Sequence, residues 1–240
     1  MRAVDNAKSL SAAIKFLCSV CRTVQVKVER DRIIFAQETD NKTAWIEILV
    51  ELREKGATEQ PLRIVDSKSL AAAVRAISTL KDSLAIEVDN EKMTVTTETS
   101  KGVRETTELK YQVVQGYKLD TSPCRPEKLI AGKVDFPTRE LEAIIKAETD
   151  KVIVAKTSKG SFSLGAASMP AFAVASGEHS QGYSTATLLQ LVRPALSAEV
   201  AVHVYRDLPM KLTYTISRKK GKADKDDVSW AALNVFHTPV

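Results

Sequence analysis

Long apolar runs are missing from this 240-residue chain. No window approaches the roughly 18 apolar residues that a membrane-spanning helix needs. Arg2, Asp5 and Lys8 precede any apolar stretch, so no signal peptide is expected, and the expectation is an intracellular protein. Aromatics make up only 5% of residues, so the core has to be built from Val, Ile, Leu and Ala. Cysteine is scarce: of three, Cys18 and Cys21 have CxxC spacing, without a second such pair. His179, His203 and His237 are scattered, so the ligand set of a zinc site is not assembled, and neither metal nor cofactor is expected. Catalytic signatures are missing as well. There is no glycine-rich phosphate loop. Ser184, His179 and Asp207 are the residue types of a hydrolase triad, but no Gly-x-Ser-x-Gly elbow surrounds Ser184. No catalytic residue is assigned, and an enzyme is not expected.

What is present is ordinary globular composition, 44% hydrophobic and 27% charged. The net charge of +5 and pI near 9.0 permit a polyanionic partner without requiring one. The dominant feature is a repeat. Lys8-Ser9-Leu10-Ser11-Ala12-Ala13-Ile14-Lys15-Phe16-Leu17 aligns without a gap on Lys68-Ser69-Leu70-Ala71-Ala72-Ala73-Val74-Arg75-Ala76-Ile77, and Val24, Val26 and Val28 align on Leu84, Ile86 and Val88. Weaker copies run from 141–146 into 151–154 and from 188–193 into 200–204. Each copy reads as a helix followed by strands.

The predicted fold is therefore α+β, with two similar domains, each a β-sheet with two helices on one face. The first spans 1–114, the second 133–240, and 115–132 connects them. The connector contains Gly116, Pro123, Pro126 and Gly132 and shows neither helical nor strand period. Strands are expected over 23–29, 33–37, 44–49, 61–65, 84–88, 93–97, 104–113, 133–137, 210–216 and 228–236. A strand is also expected at 3–5, an exposed loop at 51–60 and a charged hairpin tip at 218–227; 165–174 is the least readable stretch.

Five residues after each leading leucine (Leu10, Leu70, Leu141, Leu188) stands a base: Lys15, Arg75, Lys146 and Arg193. Five steps of helix turn about 140°, which puts each base on the face opposite its leucine. Lys8, Lys68 and Arg139 precede their leucines by two positions, Ala186 takes that place in the fourth copy, and Arg22 prolongs the first row. A lysine on an exposed helix face is commonplace; one base at the same place in every repeat points to an anionic partner.

Several strings resemble the DNA sliding clamps of the proliferating cell nuclear antigen family, in order and over the whole length. They are Asp207-Leu208-Pro209-Met210-Lys211-Leu212, Tyr183-Ser184-Thr185-Ala186-Thr187-Leu188 opening a helix, Pro126-Glu127 with Pro137 ten residues on, Phe236-His237-Thr238-Pro239 at the end, and Asp40 in its loop. The resemblance implies a trimeric ring whose helices line a central hole for double-stranded DNA. Lys8, Lys15, Arg22, Lys68, Arg75, Arg139, Lys146 and Arg193 would then face the phosphates in a sequence-independent way.

It also implies a non-catalytic tether for DNA polymerase, flap endonuclease, DNA ligase and clamp loader. These would dock through a short peptide with a glutamine, an aliphatic and two aromatics. Asp40, Pro123, Arg125, Pro126, Pro209, Phe236, His237, Thr238 and Pro239 would form the pocket. Ring contacts would come from edge strands at 106–113 and part of 161–174. The basic balance, the connector's Pro123 and Arg125, and the polar His237-Thr238 depart from the family pattern. They suit a divergent paralogue within a heterotrimer, as in some archaea, alongside the homotrimer. The site of action would be DNA in the cytoplasm or nucleoid of an archaeon, or a eukaryotic nucleus. The competing expectation is a clamp-fold processivity factor that binds DNA as a monomer through a basic face, without a closed ring.

Overall fold

Leu10, Ala13, Ile14 and Leu17, spaced to fall on one face, are fully buried along the first helix, α1 (Ala7–Val20), of a computed structural model. The structure describes residues 7–51, 60–89, 91–114, 130–158, 160–170, 173–174, 178–193, 196–206, 208–218 and 230–239. The expectations for 3–5, for most of 51–60, for connector residues 115–129 and for nearly all of 218–227 lie outside these residues; 130–132 belong to a strand. The fold is α+β, with four helices and antiparallel strand pairing among the described residues. The chain divides into two units. One contains 1–40, 46–121 and 215–233, the other 41–45, 122–214 and 234–240.

In the first unit α1 is followed by β1 (Thr23–Val28), β2 (Arg32–Glu38), β3 (Ala44–Glu51), β4 (Leu62–Asp66), α2 (Ser67–Ala73), β5 (Ser83–Val88), β6 (Met93–Glu98), β7 (Arg104–Leu109) and β8 (Tyr111–Val114). One sheet runs β3-β2-β1-β4-β8 and a second runs β5-β6-β7. β1 alternates Val24, Val26 and Val28, all buried, against half-buried Gln25 and Lys27. α1 packs on α2 and β1, and α2 on β4, β6 and β7. Asp66 caps α2, accepting from the backbone N–H of Ser69 at 2.8 Å.

The single strand expected over 104–113 is two. β7 pairs with β6, and after Lys110 the chain turns into β8, which pairs with β4 in the other sheet. Arg63, almost completely buried, organises this corner. Its guanidinium donates to the Asp89 and Pro61 carbonyls at 2.7 and 3.2 Å and lies 4.9 Å from the Tyr111 ring centre, while the Tyr111 hydroxyl also donates to the Asp89 carbonyl.

The second unit carries β9 (Ile130–Pro137), α3 (Thr138–Ala147), β10 (Val152–Ser158), β11 (Ser161–Leu164), β12 (Ala167–Pro170), β13 (Ala173–Val174), β14 (His179–Ser184), α4 (Thr185–Leu191), β15 (Glu199–Tyr205), β16 (Met210–Arg218) and β17 (Trp230–His237). The 165–174 stretch, opaque in the sequence, thus supplies two short strands. The sheets run β13-β9-β15-β16-β17 and β12-β11-β10-β14. β3, β16 and β17 give residues to both units. Gly132 of β9 is required by close approach: a Cβ there would lie 2.6 Å from the Thr157 methyl. α3 packs on β9 and α4, and α4 on β14.

The helices begin alike. Three residues before each leading leucine stands a small buried residue: Ala7, Ser67, Thr138 and Thr185. For three of them the backbone N–H donates to a carbonyl just before a strand: Ser67 to Arg22 ahead of β1, Thr138 to Ala198 ahead of β15, and Thr185 to Lys151 ahead of β10, at 2.8–3.1 Å. Each bond satisfies an N–H that the helix itself leaves unpaired.

Candidate functional site

The bases singled out by the repeat fall in two groups. Lys8, Lys15, Lys68, Arg139 and Lys146 are on helices; Arg22, Arg75 and Arg193 are not. α2 and α4 stop at Ala73 and Leu191, so Arg75 and Arg193 follow the helix ends instead of riding on the helices as expected. Pro194 disfavours helical backbone at Arg193, and at both ends a neighbouring hydroxyl holds the chain. In α2 the Val74 carbonyl is taken by the buried Ser11 hydroxyl of α1 at 2.9 Å. At α4 the Tyr214 hydroxyl donates to the Leu191 carbonyl at 3.1 Å and accepts from the Arg193 N–H at 3.4 Å. Lys8, Arg22, Lys68, Arg75, Arg139, Lys146 and Arg193 are exposed.

Lys15 differs from the rest. It is half-buried, and its ammonium reaches the turn after α2, 3.5 and 3.4 Å from the Arg75 and Ile77 carbonyls. Burial, and then the neighbouring Arg75 charge, lower its pKa. It ties down the turn after α2 as much as it serves as a surface base. Acidic residues also dilute the row: on α3, Lys146 pairs with Glu142 one turn earlier at 2.9 Å.

Asp40, expected in the partner pocket, is held in the first unit beside two of the bases. Its carboxylate accepts from the Arg22 backbone N–H at 3.2 Å and pairs with the Arg22 side chain at 3.3 Å. It lines a groove of about 480 Å³ with Cys18, Cys21, Arg22, Asp66 and Lys68. Both thiols there are free and are pushed up to about 12, chiefly by burial, with Asp66 acting on Cys18 and Asp40 on Cys21. A thiol so rarely ionised at neutral pH is a poor nucleophile or metal ligand. Among the described residues no group of three His, Cys, Asp or Glu is placed to hold a metal ion. Ser184 serves as the N-cap of α4, its oxygen accepting from the Thr187 N–H, and His179 lies against Gln181; Asp207 lies outside the described residues.

In the second unit, Phe236 and Tyr205 form a buried apolar cluster with half-exposed Trp45 and Leu208 packed against it. Pro209 follows Leu208 and is half-buried. His237 and Thr238 are tied to one carbonyl: His237 Nδ1 and the Thr238 hydroxyl and N–H all donate to Thr43 O at 3.0–3.1 Å. His237 is buried against Tyr183, with ring centres 5.6 Å apart, and burial lowers its pKa while the Thr43 and Ser184 carbonyls oppose the shift. Pro239 is exposed, whereas Pro123, Arg125 and Pro126 lie outside the described residues. Trp45, Tyr205 and Leu208 are not among the pocket residues expected from the sequence. Leu208 stood inside a string already singled out, and a tryptophan in a chain poor in aromatics was the other available signal.

No protein-family model and no curated protein sequence matches this chain. No helix among the described residues is long and apolar enough to cross a membrane.

Proposed function

We propose that this chain is a subunit of a ring-shaped DNA sliding clamp that encircles duplex DNA and tethers replication and repair enzymes to it. The observation that carries the reading is the recurrence of one structural device: helices begun by a small buried residue three places before a leucine, with a base five places after it. That recurrence supports two similar domains, each contributing two helices. The exposed bases Lys8, Arg22, Lys68 and Arg75 in the first unit and Arg139, Lys146 and Arg193 in the second give the helices of each unit and the turns beside them a positive character, without exposed aromatics that would stack on bases and arrest sliding.

The stretches expected to close the ring fall on edge strands. β7 and β8 (within 104–114) and β12 and β13 (within 167–174) each terminate their sheet. Val103, just before β7, and Val113 of β8 are exposed large apolar side chains. An unpaired strand edge with apolar side chains is a template for a second chain, and pairing in a ring covers it. The apolar cluster at Phe236 supports a docking place for partner peptides from polymerase, flap endonuclease, ligase and clamp loader. The ring would be a homotrimer or a heterotrimer with paralogous subunits.

The test is solution mass by light scattering combined with DNA retention. A species of about three times the 26.3 kDa chain mass that stays on closed circular DNA and is lost on linearisation is the expected result. A monomer that binds linear duplex directly would overturn the ring in favour of a ringless processivity factor.

A further inference from the structure

A row of three basic side chains crosses the sheet of the second unit beside the apolar cluster. His203 of β15 is in register with Lys133 of β9 on one side and with Lys211 of β16 on the other. Register partners point to the same face, and strands lie about 4.8 Å apart, so the three bases fit within roughly 10 Å. Lys133 and Lys211 flank His203 and lower its proton affinity, so an anion over the row would meet two ammonium groups and favour the protonated imidazole between them.

The row is continuous with the apolar cluster through two ring contacts. The His203 and Tyr205 rings stack with centres 6.4 Å apart and planes 27° from parallel. The Lys211 ammonium lies 5.4 Å from the centre of the Phe236 ring. A ligand that buries an aromatic against Tyr205, Phe236, Trp45 and Leu208 thus has three basic side chains next to that anchor.

We propose that the Lys133–His203–Lys211 row receives carboxylates flanking the apolar anchor of a partner peptide, so that this protein selects acidic partner segments. This rests on the reading of the Phe236 cluster as a peptide-docking place. A peptide is favoured over a nucleic acid because the row is short, spans one sheet face and adjoins an apolar cluster; duplex recognition needs a longer track of cations. The electrostatics agree. His203 is held at about 4, first by burial, then by Lys133 and Lys211, with Asp135 of β9 opposing more weakly. The titratable groups acting on it are thus Lys133 and Asp135 from β9 and Lys211 from β16, with Tyr205 on its own strand. A carboxylate arriving beside His203 raises its proton affinity, so binding takes up a proton and tightens as the pH falls.

The test is fluorescence anisotropy on the whole chain with two labelled peptides. Both contain a glutamine, an aliphatic and two aromatics; one is flanked by glutamates, the other by glutamines. The expected result is about tenfold tighter binding of the glutamate peptide at low salt, equivalent to about 1.4 kcal/mol, with the gap closing as salt rises. Lys133→Gln with Lys211→Gln should bring the two peptides to parity. Lowering the pH from about 6.5 to 5 should tighten only the glutamate peptide, by about twofold, and His203→Gln should abolish that response. Equal binding of both peptides to the unsubstituted protein would overturn the inference and leave the docking place standing. Failure of both peptides to bind would overturn the two together. Displacement of the glutamate peptide by short duplex DNA as effective as by unlabelled peptide would also overturn it, in favour of a nucleic-acid surface.

Discussion

Replacing Ser11 by Ala tests whether α2 is closed by its neighbour instead of by its own sequence. α2 has seven residues, too few to be stable alone. The hydroxyl of Ser11, itself 1% exposed, donates to the Val74 carbonyl at 2.9 Å in a buried setting. Ser11→Ala removes that carbonyl's shorter, buried donor and leaves it only the Ile77 N–H at 3.4 Å, which costs about 1–1.5 kcal/mol. The Lys15 ammonium makes longer contacts with the next carbonyls and is partly solvated, so Lys15→Gln should cost about 1 kcal/mol or less.

Lys146, exposed and paired only along its own helix, sets the comparison: Lys146→Gln should cost about 0.5 kcal/mol. Urea denaturation of the three variants gives the ranking, and amide hydrogen exchange locates it, with residues 74–77 losing protection in Ser11→Ala alone or most strongly. Ser11→Ala removes no charge. Under the clamp reading it should lower stability without weakening DNA retention, whereas Lys146→Gln should do the reverse. Stability of Ser11→Ala within about 0.5 kcal/mol of the parent, with unchanged exchange at 74–77, would refute the reasoning.

Two further outcomes follow from the second unit. Gly132→Ala should cost about 1–3 kcal/mol because its Cβ meets the Thr157 methyl at 2.6 Å; adding Thr157→Ser, which deletes that methyl, should recover much of the loss, and a purely additive double-mutant cycle would count against the contact. His203 has its folded pKa lowered from 6.5 to about 4, so the stability it contributes is complete above about pH 6.5 and is lost as the pH falls toward 4, about 3 kcal/mol in all. His203→Gln should flatten this part of the stability–pH curve, and an unchanged slope would show that the histidine is not buried in its neutral form.

The helices and most strands were legible because two periods dominate the sequence. Leu10, Ala13, Ile14 and Leu17 announce a helix, and Val24, Val26 and Val28 a strand, whatever lies around them. The break at Lys110 was not legible. Alternation across 104–113 says that residues face in and out, but not that the chain leaves one sheet for another. That corner depends on Arg63 and Asp89, far away in sequence. Asp40 was placed by resemblance beside the partner pocket, and its bonds to Arg22 come from the neighbouring turn, which no spacing rule reports. The end of α2 was equally hidden, since nothing between Leu70 and Arg75 stops a helix by itself and Ser11 holds the chain where α2 ends. The end of α4 was signalled by Pro194, which disfavours helical backbone at Arg193, and Tyr214 holds the chain there.

Those two stops explain how bases at one sequence offset reach the surface by different routes. In α1 and α3 the helix continues past the fifth position after the leucine, so Lys15 and Lys146 are carried by helical backbone. In α2 and α4 the helix ends first, and a neighbouring hydroxyl fixes the chain where it turns away: Ser11 at Val74, one residue before Arg75, and Tyr214 at Leu191 and at the N–H of Arg193. The two hydroxyls come from unrelated places, α1 in one unit and β16 in the other, and sit on different residue types. What the repeats share is therefore the distance from leucine to base and the small buried residue that starts each helix, not the means of ending it. An offset kept while its scaffolding differs is what a requirement on the position of charge would produce, since core packing alone fixes the leucine and leaves an exposed side chain five residues later open to most residue types.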